Sequence, residues 1–259
     1  MTNSNITTLA AETCALILAA GLGSRLGTNT KEQPKCLVPV AGIPMLQRML
    51  DNLSKHGIRS VVIAVGYLAP QIQHFVAQHY PQLEVSFVEN PNYSVTGSVF
   101  SLDLALQAVS TDHHLLLIEG DVVLEPELLR RTLTAASVAP DAVTLLAAYE
   151  PALSGTFALI EDGRVTAWAH ESVRSNDFPL LSAHKTVNVT WVRKAAALTA
   201  LRNAVKHTIA AKGPKAPLEY AMQSLVEQGM HIGAVSTLDM RWFEVDTPED
   251  LEIADRLFA

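Results

Sequence analysis

Two hydrophobic rhythms alternate along the first half of the chain. Residues 15–19 (ALILA) form a short, unbroken apolar run that ends in glycine-rich sequence, as a buried strand entering a loop does. Residues 45–55 then place Met45, Leu46, Met49, Leu50 and Leu53 at helical spacing. The pattern repeats: a β-branched run at 60–65, a helical stretch at 69–79, an alternating strand at 83–88, a helix at 99–109 and an apolar strand at 115–118. Strands separated by helices of this length imply a mostly parallel sheet covered on both faces.

The second half breaks the rhythm. Residues 142–148 read as a strand, and 156–160 with 165–169 flank the turn Glu161-Asp162-Gly163, which predicts a hairpin and so antiparallel additions. Residues 172–182 mix charges with Asn and Pro and read as a mobile loop, followed by helices at 194–211 and 217–227. Thr247-Pro248-Glu249-Asp250 is a helix start, with Thr at the N-cap, Pro first in the helix and Asp third. Leu251, Ala254, Leu257 and Phe258 give that closing helix an apolar face. The expectation is a flexible tail over 1–13 and a single α/β domain over 14–259, a Rossmann-like, mostly parallel sheet with helices on both faces and antiparallel additions in the second half.

Bulk properties narrow the function. A chain of 259 residues, 49% hydrophobic and 17% charged, buries a substantial core. Every apolar run is interrupted before the roughly 20 residues a membrane span needs. The start of the chain lacks the basic and apolar stretches of a secretory signal, which makes the cytoplasm the expected location. A net charge of −7 without a basic run argues against nucleic-acid partners, but not against small anions held by a few local cations. Cys14 and Cys36 have no metal-ligand spacing and read as buried thiols.

Candidate chemistry concentrates in residues 18–27, LAAGLGSRLG, and in Pro34-Lys35. A strand entering a glycine-bearing turn presents backbone N–H groups to phosphate from Ala19, Ala20, Gly21, Gly23 and Ser24. Arg25 adds a planar fork and Lys35 a compact charge. The glycines alone fit a plain tight turn equally well. The spacing G-x-G-x-x-x-G puts the third glycine one place late for a dinucleotide fingerprint, and no Gly-Lys-Ser/Thr ending marks a P-loop. Asp121 follows the strand at 115–118, where a parallel sheet opens its ligand crevice; alone, it could as well cap a turn. Glu244 and Asp246, two apart, share one face of an extended segment.

LAAGLGSRLG followed by PKCLVPVAGIPML resembles the signature of nucleotidyltransferases that activate sugar phosphates and small alcohol phosphates. The resemblance implies the glycosyltransferase-A-like version of the fold. It also implies a triphosphate-wrapping loop, phosphate contacts from Arg25 and Lys35, and Mg2+ held by Asp121 and Asp246. N-P-x-Y in Asn90–Tyr93, followed by Thr96-Gly97-Ser98, resembles the CTP-using branch, that of the phosphocholine and aminoethylphosphonate cytidylyltransferases. That branch often carries Thr-Asn-Asn where this chain has Thr96-Gly97-Ser98. By the resemblance Asn90, Thr96, Gly97 and Ser98 contact base and ribose.

His184-Lys185-Thr186-Val187-Asn188 resembles that branch's Lys-Thr-x-Asn acceptor strand, and Trp242-Phe243-Glu244-Val245-Asp246 its W-(Y/F)-E-(I/V)-D ending. On this reading Lys185 joins Arg25 and Lys35 in catalysis. Trp168, Asn188, Glu219, Trp242 and Glu244 bind an acceptor. Tryptophan as core filler and Lys185 or Glu219 as surface charges stay open alternatives. The resemblance implies transfer of CMP from CTP to a phosphonate or phosphate, with pyrophosphate released, and is compatible with a homodimer. The rivals are a sugar 1-phosphate nucleotidyltransferase, a non-catalytic nucleotide-binding module and, disfavoured by the glycine spacing, a dinucleotide oxidoreductase.

Overall fold

In the computed structural model, which describes residues 3–171 and 174–259, nine strands form one mixed sheet with helices on both faces. The parallel part is built from β1 (Thr13–Ala19), β4 (Ser60–Val65), β5 (Glu84–Glu89) and β6 (His114–Glu119), with β1 between β4 and β6. Two short strands, β2 (Pro39–Val40) and β3 (Ile43–Pro44), form a hairpin that turns at Ala41-Gly42, where Gly42 has φ +78°. Strands β7 (Val122–Leu124) and β13 (Trp242–Glu244) form a second small ladder beside the main sheet.

β8 (Ala142–Ala148), β9 (Phe157–Glu161), β10 (Arg164–Ala169), β11 (His184–Val192) and β12 (Ile232–Ser236) complete the sheet in the order β5-β4-β1-β6-β11-β8-β12-β10-β9. β11 runs antiparallel to β6 and β8, and β9 with β10 is the expected hairpin. β12 lies parallel to β8, which the short glycine-interrupted run at 232–236 did not announce. The eight α-helices among the described residues are α1 (Asn3–Ala11), α2 (Met45–Lys55), α3 (Ala69–His79), α4 (Ser98–Leu106), α5 (Pro126–Ala136), α6 (Ala196–Lys212), α7 (Glu219–Glu227) and α8 (Pro248–Phe258). None of the described helices is long and apolar enough to cross a membrane.

The sheet divides two apolar clusters. On one face Ile17, Ile63, Leu116 and Trp191 meet α2, α3 and α5; on the other Leu16, Leu117 and Trp168 meet α4, α6 and α7. Residues 3–11, expected as a flexible tail, form α1 instead. Ile6, Leu9 and Ala10, three and four apart, make an apolar stripe that packs on the first cluster, and Ala10 is fully buried. α5 went unannounced although Leu128, Leu129, Thr132, Leu133 and Ala136 are buried at helical spacing. In the expected loop at 172–182, Leu180–Ser182 makes one 3-10 turn, and residues 172–173 lie outside the described residues.

Two local devices stand near opposite ends of β6. The expected capping box closes on α8: the Thr247 hydroxyl accepts from Asp250 N at 3.2 Å, and Asp250 Oδ2 accepts from Thr247 N at 2.8 Å. Beneath the sheet His114 is buried and stacks on Trp191 with ring centroids 4.7 Å apart. Burial first, then the charges of Lys194 and Arg193, push the His114 imidazole down to about 4. Unfolded, it would titrate near 6.5, so as pH falls from about 6.5 towards 4 the unfolded chain takes up a proton that the native one refuses. The stability contributed by the neutral ring is therefore complete above about pH 6.5 and falls away below it. His114→Gln should flatten the decline in urea midpoint across that window; an unchanged slope would assign the decline elsewhere.

Candidate active site

Three strand ends build the candidate site. β1 delivers Ala19 and Ala20 into the glycine loop, in which Gly23 is left-handed at φ +62°. A Cβ on Gly23 would stand 2.8 Å from the Lys35 Cβ, so the loop and Lys35 pack without a spare atom. β6 ends at Glu119, and Gly120 N then donates to Leu18 O at 2.9 Å. A side chain at Gly120 would meet that same oxygen at 2.5 Å, so glycine lets Asp121 lie against the loop.

The β7–β13 ladder brings the second carboxylate. Glu244 pairs with Val122, and Val245 N donates to Asp121 O at 3.0 Å, which sets Asp246 beside Asp121. Asp250 Oδ2 accepts from Asp246 N at 3.1 Å, tying that residue to the start of α8. Lys35 Nζ donates to Asp121 Oδ2 at 2.8 Å and Asp246 Oδ1 at 2.6 Å, and Arg25 Nη2 to Asp246 Oδ1 at 2.9 Å. Burial alone would lower the Lys35 ammonium; the charges of Asp121 and Asp246, with their hydrogen bonds, outweigh it and raise it above its ordinary value.

A cleft of about 420 Å3 opens over this group. Ala19, Ala20, Gly21, Gly23, Ser24, Arg25, Lys35, Thr96, Gly97, Ser98, Asp121 and Asp246 all line it. Asn90 does not. It is 1% exposed, its amide donates to the hydroxyls of Thr96 and Ser101 at 2.9 Å, and its Oδ1 accepts from Asn92 N. Asn90 therefore shapes the loop from below. Tyr93 and Ser101 line the cleft without having been singled out. Tyr93 is the last residue of the N-P-x-Y motif, and it packs so closely on the end of β4 that a Cβ at Gly66 would fall 2.8 Å from its Cβ.

A second cleft of about 570 Å3 meets the first at Asp246, and Lys185, Trp242 and Glu244 line it. Lys185 is 3% exposed; its Nζ donates to Glu244 Oε2 at 2.9 Å and Thr186 O at 2.9 Å. Asn188 donates to Glu244 Oε1 at 3.1 Å from a bulge in β11, where its left-handed φ of +61° turns the side chain inward. Burial, against the pull of Lys185, raises the Glu244 carboxyl. Glu119, which lines the first cleft, is raised further by burial and by the charges of Glu219, Asp121 and Glu244. Glu219, expected at the acceptor, lines neither cleft; it accepts from the Thr156 hydroxyl at 3.2 Å.

Trp168 does not reach either cleft. Strand alternation in β10 sends it into the core against α7, where it is 4% exposed, so its expected acceptor contact is withdrawn. Trp191 is likewise core. Both cysteines are free and buried, and burial pushes the Cys36 thiol up to about 12.

Residues 15–154 match the MobA-like NTP transferase domain, more than half of the chain. The chain belongs to that family. It is 33% identical over 249 residues to the CMP-5'-(3-aminopropyl)phosphonate synthase of Streptomyces rubellomurinus, an alignment covering 95% of this chain and 38% of that protein. It is also 33% identical over 118 residues to the 2-aminoethylphosphonate cytidylyltransferase of Lancefieldella rimae, covering 46% of each. These alignments thus span less than half the length of either relative. Among solved structures, the CTP:phosphocholine cytidylyltransferase of Streptococcus pneumoniae superposes with a TM-score of 0.75 at 19% identity, over 96% of this chain and 100% of that one. That likeness fixes the fold as the nucleotidyltransferase, glycosyltransferase-A-like one.

Removing one partner of a buried ion pair strands the other charge. Lys185→Met should therefore lower unfolding free energy by about 3 kcal/mol, and Lys185→Met/Glu244→Gln should recover a good part of it. A single variant as stable as the parent in urea would make the pair a bystander.

Proposed function

We propose that the chain transfers a cytidylyl group from CTP to a small phosphonate or alcohol phosphate, releasing pyrophosphate. The observation that carries this reading is the Asp121–Lys35–Asp246 cluster at the junction of two clefts. The glycine-loop cleft is the nucleotide side, and the cleft bearing Lys185, Trp242 and Glu244 is the acceptor side. The two relatives named for aminoalkylphosphonate cytidylyl transfer support the base and the acceptor class.

The residues fit a divalent cation. Asp121 Oδ1 is buried and has no hydrogen-bond partner, and Oδ2 already shares one cation with Asp246. Among the described residues no three Asp, Glu, His or Cys side chains converge on a metal position. Two carboxylates, completed by water and phosphate oxygens, are the donor set Mg2+ accepts. When bound, Mg2+ supplies charge neutralisation on the transferring phosphate.

The reaction is an in-line displacement. An acceptor oxygen attacks the α-phosphorus of CTP, the bond from that phosphorus to the β-phosphate oxygen breaks, and pyrophosphate leaves with the electron pair. The attacking oxygen is already anionic near neutral pH, so no residue has to remove a proton. The work left to the protein is alignment and opposing charge. Backbone N–H groups of Gly21 to Ser24 and the cations of Arg25 and Lys35 meet the triphosphate. Arg25, with 71% of its side chain exposed, is free to close onto it. Lys185 and Asn188 hold the acceptor's anionic group and keep Glu244 in register.

Pyrophosphate release should require CTP, Mg2+ and a phosphonate or alcohol phosphate when four nucleoside triphosphates are crossed with these acceptors and sugar 1-phosphates. Release only with a sugar 1-phosphate would overturn the acceptor class. Asp246→Asn should cut turnover by on the order of 100-fold while the fold, followed by circular dichroism, persists. Full activity in that folded variant would remove Asp246 from the site.

A further inference from the structure

Lys35 stands where a divalent cation would have to enter. Its nitrogen lies 2.8 Å from Asp121 Oδ2 and 2.6 Å from Asp246 Oδ1, so a full positive charge already bridges the carboxylates. The side chain is 16% exposed, and its base is wedged against Gly23. Arg25 cannot take over this bridge, because it contacts only Asp246 and is largely exposed. Two carboxylates this close repel each other, and without a cation between them one would protonate or swing away. Lys35 also lines the cleft together with the Gly21–Arg25 loop, so triphosphate oxygens would arrive within its reach.

We propose that the Lys35 ammonium is a placeholder for the metal. In the nucleotide-free protein it holds Asp121 and Asp246 together in the cation's place, and it gives up that place only when the triphosphate offers it other anionic oxygens. Metal and nucleotide therefore load together, and the carboxylates never pass through an unpaired state. Lys35 is thus a positioning residue for the metal site as well as a phosphate ligand. The proposal rests on the nucleotidyl-transfer reading given above. Its consequence is a metal affinity reduced, in the absence of nucleotide, by the small fraction of molecules in which Lys35 has left the carboxylates.

The test is Mn2+ titration followed by electron paramagnetic resonance, with no acceptor and so no turnover. Without nucleotide, Lys35→Met should bind Mn2+ at least about ten-fold more tightly than the parent. The gap should survive about 0.5 M KCl, since a charge acting only at a distance is screened there. If Lys35→Met fails to fold, the parent alone decides the matter. In nitrogen-15 spectra of lysine ammonium groups, the Lys35 signal should shift on adding Mg2+ with CTP and stay put with Mg2+ alone. Equal Mn2+ affinity in the two proteins, a gap abolished by salt, or a Lys35 signal that moves with Mg2+ alone would each overturn the placeholder. A protein that fails these tests yet turns CTP over keeps its proposed reaction. One that neither binds nor turns over CTP loses that reaction and the placeholder with it.

Discussion

Two carboxylates from strands more than a hundred residues apart have to stand side by side, and electrostatics opposes it. The backbone bond from Val245 N to Asp121 O supplies the alignment, within a three-residue ladder that joins the end of β6 to the start of α8. Lys35 supplies the charge. Gly120 lets the β6 turn approach β1, Gly23 lets the phosphate loop approach Lys35, and the α8 cap fixes the backbone of Asp246. Each is a local answer to the same demand. Neutralised negative charge must be held rigidly at the mouth of a sheet whose strand ends offer few side chains of their own.

The electrostatic profile changes along the floor of the site. In the glycine-loop cleft Arg25 is largely exposed, whereas Lys35 is mostly buried and bridges Asp121 and Asp246. In the second cleft the buried Lys185 pairs with Glu244, while Glu119 lies on the side of the first; burial raises both carboxyls, Glu119 with the charges of Glu219, Asp121 and Glu244 added. That second cleft carries Lys185 and Arg241 as cations beside the carboxyls of Glu244 and Asp246.

Much of the fold could be read from sequence because its signals are short-range. The periodicity of 45–55 and 69–79 reproduces α2 and α3 to the residue, and Thr247-Pro248 marks the start of α8. The glycine loop was readable for the same reason, since its signal fits within ten consecutive residues. Features set by distant partners were not. Nothing local marks residues 232–236 as a strand parallel to β8, or tells Trp242, which faces a cleft, from Trp168, which fills the core. Asn90 has the same character: its motif placed it at the nucleotide, but only the hydroxyls of Thr96 and Ser101 reveal that its amide is already spent.

Gly97 couples regions that are far apart in sequence. Its N–H donates to Pro214 O at 2.8 Å, Ser98 Oγ accepts from Leu218 N at 2.8 Å, and a Cβ at 97 would meet the carbonyls of Lys215 and Ala216 at 2.5 Å. The connector between α6 and α7 is therefore seated directly on the cleft loop, and Glu219 begins the helix that follows. The loop lining the first cleft and the helix that begins at Glu219 form one mechanical part. Transplanting residues 90–98 from a relative with a larger side chain at that position would collide with a connector more than a hundred residues downstream. Divergence at the two places has to proceed in step, and the exchangeable unit in this fold is the pair of segments together.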